Sequence, residues 1–172
     1  MKRTTTLLGV AAVLAAATLS SIALGATGAA ASPQASKGAL VTLGKTRLGT
    51  VLVDARGRTL YLFEKDRHGL SACYGGCASY WPPYLSAATP RAGRGVRASL
   101  LGVNKRTDGK RQVTYAGHPL YTFIGDTRAG QTTGEGLTDF GAAWYVVAPS
   151  GRAIKRSASD PDGPYDGYGL SG

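Results

Sequence analysis

Cys73 and Cys77 are the only two cysteines in the 172-residue chain, and their C-x3-C spacing admits three kinds of chemistry. The first is a disulfide, the usual fate of a cysteine pair in an exported protein, with Gly75 and Gly76 permitting the tight backbone of a small ring. The second is a soft-metal site, in which two thiolates share copper and His68, five residues before Cys73, is a third ligand. The third is reversible thiol redox chemistry. The only methionine is Met1, and His118, the one other histidine, could approach only through the fold. A haem attachment motif would need a histidine directly after the second cysteine. The residues therefore favour a structural disulfide without a cofactor, with copper binding or thiol redox as the alternative.

A second pattern involves a tyrosine and an aspartate. LYLFEKD at 60–66 recurs as LYTFIGD at 120–126, so Tyr61, Phe63 and Asp66 have counterparts in Tyr121, Phe123 and Asp126. Such pairs could line a shared binding groove. A strand explains the same spacing without a ligand: Tyr61 and Phe63 share one face, and Leu60 and Leu62 the other. Both faces are apolar, so the strand should be covered on both sides. Asp66 then falls just past the strand end, where its carboxylate can cap a turn. This reading makes the repeated residues scaffold, with Trp81 and Trp144, each following a Gly-rich insertion, as further core aromatics.

Catalytic constellations are missing from the sequence. There is no G-x-S-x-G, H-E-x-x-H, Walker A or dinucleotide fingerprint. Asp54, Glu64, Asp66, Asp126, Glu135 and Asp139 are separated by turns, and His118 before Pro119 reads as a turn residue. The loop at 125–136 has a calcium loop's Asp, Thr and Gly content without its regular ligand ladder, so it reads as a connection. A non-enzymatic protein is expected.

The elements that must position these residues are short strands. ALVTL ends at Gly44, RLGTVLVD covers 47–54, and the turn at 55–57 precedes a strand over 59–63. Asp108-Gly109 is a hairpin signal between LLGVNKR and RQVTYA. A strand over 119–124 and another over 143–148 follow, and a short helical turn fits near 78–80. Turns at this frequency, with no long 3.6-residue apolar period, predict an all-β domain. It would consist mainly of antiparallel hairpins in two related repeats, at about 48–85 and 108–149.

The domain is bounded by segments of different composition. Met1-Lys2-Arg3, an apolar run and Ala29-Ala30-Ala31 have the layout of a secretory signal peptide, 1–31. The stretch 32–38 reads as a disordered mature start, 39–151 as one β domain, and 152–172, rich in Gly, Asp, Ser and Pro, as a flexible tail. The expected location is extracellular, with association to the cell wall, and no transmembrane segment after cleavage. The formal net charge is +10, and losing Lys2 and Arg3 leaves 18 basic residues against 10 acidic ones. Such a monomer would be drawn to anionic cell-envelope polymers. No nucleic-acid motif accompanies the charge.

The two tyrosine–aspartate motifs, CYGGCASYWPP, and QVTYAGHPLYTFIGD followed by GLTDFGAAWYVV together resemble a bacterial family of secreted repeats of unknown function. Its members are often described as predicted lipoproteins with a Y-x-(F/W/Y)-x-x-D motif. The resemblance covers about 48–150 and implies a secreted or envelope-attached, two-repeat protein with no established catalytic role; the residues and charge are read as those of a non-catalytic binding or structural module at the cell envelope. No cysteine precedes Cys73, so the lipid attachment of lipoprotein members does not carry over.

Overall fold

The computed structural model describes residues 38–155. The expected leader, the 32–37 stretch and the tail beyond 155 lie outside the described residues. The first repeat opens with a hairpin of β1 (Leu40–Thr46) and β2 (Gly49–Val53), in register from Thr42↔Val53 to Thr46↔Gly49. β1 runs through Gly44, where the sequence predicted its end. A Cβ at Gly44 would lie 2.7 Å from Val53 Cγ1, so this glycine serves close strand approach and not a turn. Asp54 Oδ1 accepts the amides of Arg56 and Arg58 at 2.8 and 2.9 Å, closing the turn into β3 (Tyr61–Phe63). A short helix, α1 (Gly76–Tyr80), follows where a helical turn was expected. β4 (Arg91–Ala92) lies parallel to β1, the exception to antiparallel pairing among the described strands.

After a 3-10 turn at Ala98–Leu100, the second repeat opens on β5 (Leu101–Lys105) and β6 (Arg111–Tyr115), joined through Asp108-Gly109. β7 (His118–Pro119) pairs with β6, and β8 (Thr138–Asp139) forms a hairpin with β9 (Ala142–Val146). The strand predicted over 119–124 does not form as a regular element. Its Thr122 and Ile124 amides donate to Pro82 O and Tyr80 O at 3.0 and 3.1 Å, but Pro82 and Pro83 have no N–H to return. The ladder shrinks to bridges at Tyr121.

The result is all-β and mainly antiparallel, three small sheets ordered β2-β1-β4, β3-β9-β8 and β5-β6-β7. The repeats exchange their closing strands. β9 of the second repeat pairs with β3 of the first, from Tyr61↔Val146 to Phe63↔Trp144. The matching stretch of the first repeat, 80–84, pairs with the Tyr121 segment, Tyr84 N donating to Leu120 O at 2.8 Å. At the centre, Tyr61 and Tyr121 exchange backbone bonds, N to O, at 2.9 and 3.0 Å. Neither repeat completes its own pairing, so the two form one cooperative unit.

The strand at 60–63 is buried on both sides, as its alternation requires. Tyr61 and Phe63 enter one core with Val51, Trp81, Tyr121 and Trp144; Leu60 and Leu62 enter the other with Val41, Val113 and Leu120. Order also continues beyond the expected boundary at 152. Ala153 bridges to Val147, and Ile154 N donates to Val146 O at 2.9 Å while its side chain packs on the first core. Burial of that side chain and completion of the β9 edge hold a segment whose composition alone reads as flexible. Among the described residues, no helix is long and apolar enough to cross a membrane.

Candidate functional site

The two motif tyrosines pair with the aspartates of the opposite repeats. Tyr61 donates its hydroxyl to Asp126 Oδ2 at 2.6 Å, and Tyr121 donates to Asp66 Oδ2 at 2.8 Å. Each aspartate uses its other oxygen to hold its own downstream loop. Asp66 Oδ1 accepts from Ala72 N at 2.7 Å, and Asp126 Oδ1 accepts from Thr133 N and Oγ1 at 2.9 and 2.7 Å. Burial, reinforced by the facing carboxylates, lifts both phenols far above the ordinary tyrosine range, so they remain neutral donors. Burial also pushes Asp66 up to about 6, outweighing the two hydrogen bonds that favour its charged form. Both tyrosines are fully buried. The motif builds an internal clamp.

The aromatic residues interleave in the same way. Phe63 stacks on Trp144 at 3.9 Å, Trp144 on Trp81 at 4.0 Å, and Trp81 on Phe123 at 4.3 Å, the rings alternating between repeats. Tyr61 meets Trp81 edge-on at 5.3 Å and Tyr121 meets Trp144 at 5.0 Å. Gly134 makes room, since a Cβ there would stand 2.6 Å from Trp81 Cη2. The pseudo-symmetry breaks at the indole nitrogens. Trp144 Nε1 donates to Asp139 O at 3.3 Å, whereas Trp81 Nε1 is buried with no partner among the described residues.

Cys73 and Cys77 are joined in a disulfide with Cα atoms 5.2 Å apart, and both are buried. In this form neither sulfur is a thiolate, so a copper site would require prior reduction. His68 stands in an exposed turn at φ 52°. Among the described residues, no three His, Cys, Asp or Glu side chains gather in a way that could hold a metal ion. The disulfide loop is fastened by Arg106, which the sequence reading did not single out. Its buried guanidinium donates to Gln112 Oε1 at 2.6 Å, to Ser71 Oγ and Cys73 O at 2.8 Å, and to Asp108 at 3.3 Å. It also lies 4.2 Å from the Tyr74 ring. Ser71 Oγ lies 2.8 Å from the Tyr121 hydroxyl; since that proton goes to Asp66, Ser71 is the donor of this pair. The available signal was Gln112, a polar residue within an inward-facing strand.

Asp66 also faces outward. It lines a cleft of about 530 Å³ with Arg67, His118 and Arg152, and a second of about 310 Å³ with His68 and His118. Both histidines thus line a cleft that Asp66 also lines. The remaining candidates are dispersed: Asp54 pairs with Arg58 at 2.7 Å, Glu64 pairs with Lys155, and Glu135 Oε2 accepts from Val146 N at 2.7 Å. Asp139 is exposed at the β8–β9 tip. In the 125–136 loop, Thr133 folds back to donate from its amide and hydroxyl to Asp126 Oδ1.

Searches of curated proteins and of solved structures return no match. One family profile matches two stretches, 42–84 and 102–148, together more than half of the chain. Each match begins before the repeat limit expected from the motifs, because it takes in the first strand of each hairpin, most of β1 and β5. The chain belongs to this family, described as a secreted repeat of unknown function, and carries two copies of it.

Proposed function

We propose that the protein is a non-catalytic, extracytoplasmic binding module that engages anionic cell-envelope polymers through its cationic surface. The observation that carries this reading is the excess of basic over acidic side chains on the described surface. Asp54 and Asp126 are buried, Asp66 and Glu135 bond backbone amides, and Asp108 and Glu64 are ion-paired. Arg91, Arg94, Arg97, Lys105, Lys110 and Arg111 are exposed. Glu64, Asp108 and Asp139 are the exposed acids among the described residues, and the exposed basic residues outnumber them, so the described surface is net cationic. The family's description as secreted supports the location. The tyrosine–aspartate clamp supports a non-catalytic role, since phenols held neutral in the core are poorly placed for proton transfer to a bound substrate.

Retention of the purified protein on immobilised polyphosphate tests this reading. Retention should be strong at low salt and should fall steeply as ionic strength shortens the screening length. Arg94→Glu with Lys110→Glu should weaken it further at equal salt. Absence of retention at low salt, or retention indifferent to salt, would overturn the reading.

A further inference from the structure

The repeats agree in their cores and differ in the insertions before Trp81 and Trp144, yet these insertions meet at the surface. Tyr80, the last residue of α1, and Phe140, at the β8–β9 tip, place their rings 6.1 Å apart at 44°. Both are solvent-facing, Tyr80 at 55% and Phe140 at 43% exposure. Ile124, 51% exposed, lies beside Tyr80 through its amide bond to Tyr80 O at 3.1 Å. We infer that Tyr80 and Phe140 form a stacking platform for the sugar rings of an acidic polysaccharide. This rests on the preceding reading of an anionic envelope polymer and specifies the polymer's chemistry.

The backbone carries the first part of the inference. Phe140 has φ 56° and Gly141 φ 90°, a two-residue hairpin tip whose first position suits Asn, Asp or Gly. Phenylalanine there carries the left-handed strain that a Cβ imposes. Its ring makes a tilted contact with Tyr80 and stays 43% exposed. Neither the turn nor the core calls for a large aromatic side chain at this tip, and strain retained at an exposed position points to a ligand.

The platform is also pre-organised. Tyr80 sits between the disulfide-fastened start of α1 and the fully buried Trp81. Phe140 is held from behind by Lys65 Nζ, which donates to its carbonyl at 3.0 Å. Trp144, four residues on, stacks on Trp81 at 4.0 Å beneath. A ligand meeting this surface would have little side-chain framework to order.

The surroundings select the occupant. Three apolar side chains are few against the roughly 20–30 residues per side of a stable protein interface. Lys65 and Asp139 are both exposed beside Phe140, the ammonium able to attract an acidic group and the carboxylate able to accept hydrogen bonds from sugar hydroxyls. The C–H face of a pyranose matches an aromatic face. The cationic exterior supplies attraction for acidic groups elsewhere along the same chain.

Binding of the purified protein to polygalacturonate, polyphosphate, neutral dextran and phosphatidylglycerol vesicles tests the inference, using the wild type, Phe140→Asn and Tyr80→Ala. Phe140→Asn should weaken polygalacturonate binding by about tenfold, the equivalent of one lost stacking contact, and leave polyphosphate binding unchanged. Its melting temperature should rise, because asparagine accepts the left-handed conformation, which separates lost binding from lost folding. Unchanged polygalacturonate affinity in both variants would overturn the platform while leaving the charge-based reading intact. Failure of the wild type to bind either anionic polymer would overturn both. A loss confined to vesicles would overturn the glycan in favour of a lipid surface.

Discussion

The hydroxyl of Tyr61 bonds Asp126, 65 residues away, and not Asp66, the aspartate of its own motif. Tyr121 and Asp66 form the reciprocal pair. A motif that looks local in each repeat is therefore a fastening between repeats. The exchanged strands and the alternating aromatic stack follow the same rule.

Coupling energies should follow the crossed pairing. Tyr61→Phe removes the donor to a buried carboxylate and should cost about 1.5–3 kcal/mol. A double-mutant cycle of Tyr61→Phe with Asp126→Asn, measured by urea denaturation, should give a coupling of at least about 1 kcal/mol. The Tyr61–Asp66 cycle should give much less. The reverse order of couplings would contradict the clamp.

The pH dependence of stability should show Asp66. Its folded-state pKa, about 6, lies above the unfolded value of 3.8, so the folded chain binds the proton more tightly than the unfolded one. Its ionisation thus lowers stability as pH rises from about 4 to about 6, by an amount on the order of 2–3 kcal/mol. Wild type should gain stability relative to Asp66→Asn as pH falls through that window. A difference that is flat with pH would refute the assignment.

The stacked tryptophans predict unequal mutants. Trp144→Phe loses the bond to Asp139 O, whereas Trp81→Phe removes an indole N–H that has no partner among the described residues. The Trp144 variant should therefore be the less stable by about 1 kcal/mol in thermal melts. Both should abolish the coupled-chromophore couplet in circular dichroism that two indoles 4.0 Å apart produce.

Arg106 and the disulfide act on one loop. Arg106→Lys keeps the charge but loses the planar fork that serves Gln112, Ser71 and Cys73 O, at a cost of about 3 kcal/mol. Replacing both cysteines by alanine should cost about 2 kcal/mol, the loop-entropy value for so short a ring. Because both restrain the same segment, their combination should depart from additivity. Amide exchange should accelerate first at 71–80.

Local pattern determined much of this protein. Alternation at 60–63 set two buried faces, Asp108-Gly109 set a hairpin, and the duplicated motif and tryptophans announced two repeats. These features depend on neighbouring residues, and a linear sequence displays neighbours. It could not display which tyrosine meets which aspartate, because the spacing is the same in both copies. Only the exchange of β9 for the 80–84 segment decided that, through the tryptophan stack and the prolines that interrupt the second ladder. The buried Arg106 network, the return of 152–155 to the β9 edge and the meeting of Tyr80 with Phe140 were likewise tertiary outcomes. The Arg106 network and the Tyr80–Phe140 contact join segments dozens of residues apart, while the 152–155 return doubles back over a few residues to cover Ile154, and none of these is settled by neighbouring residues alone.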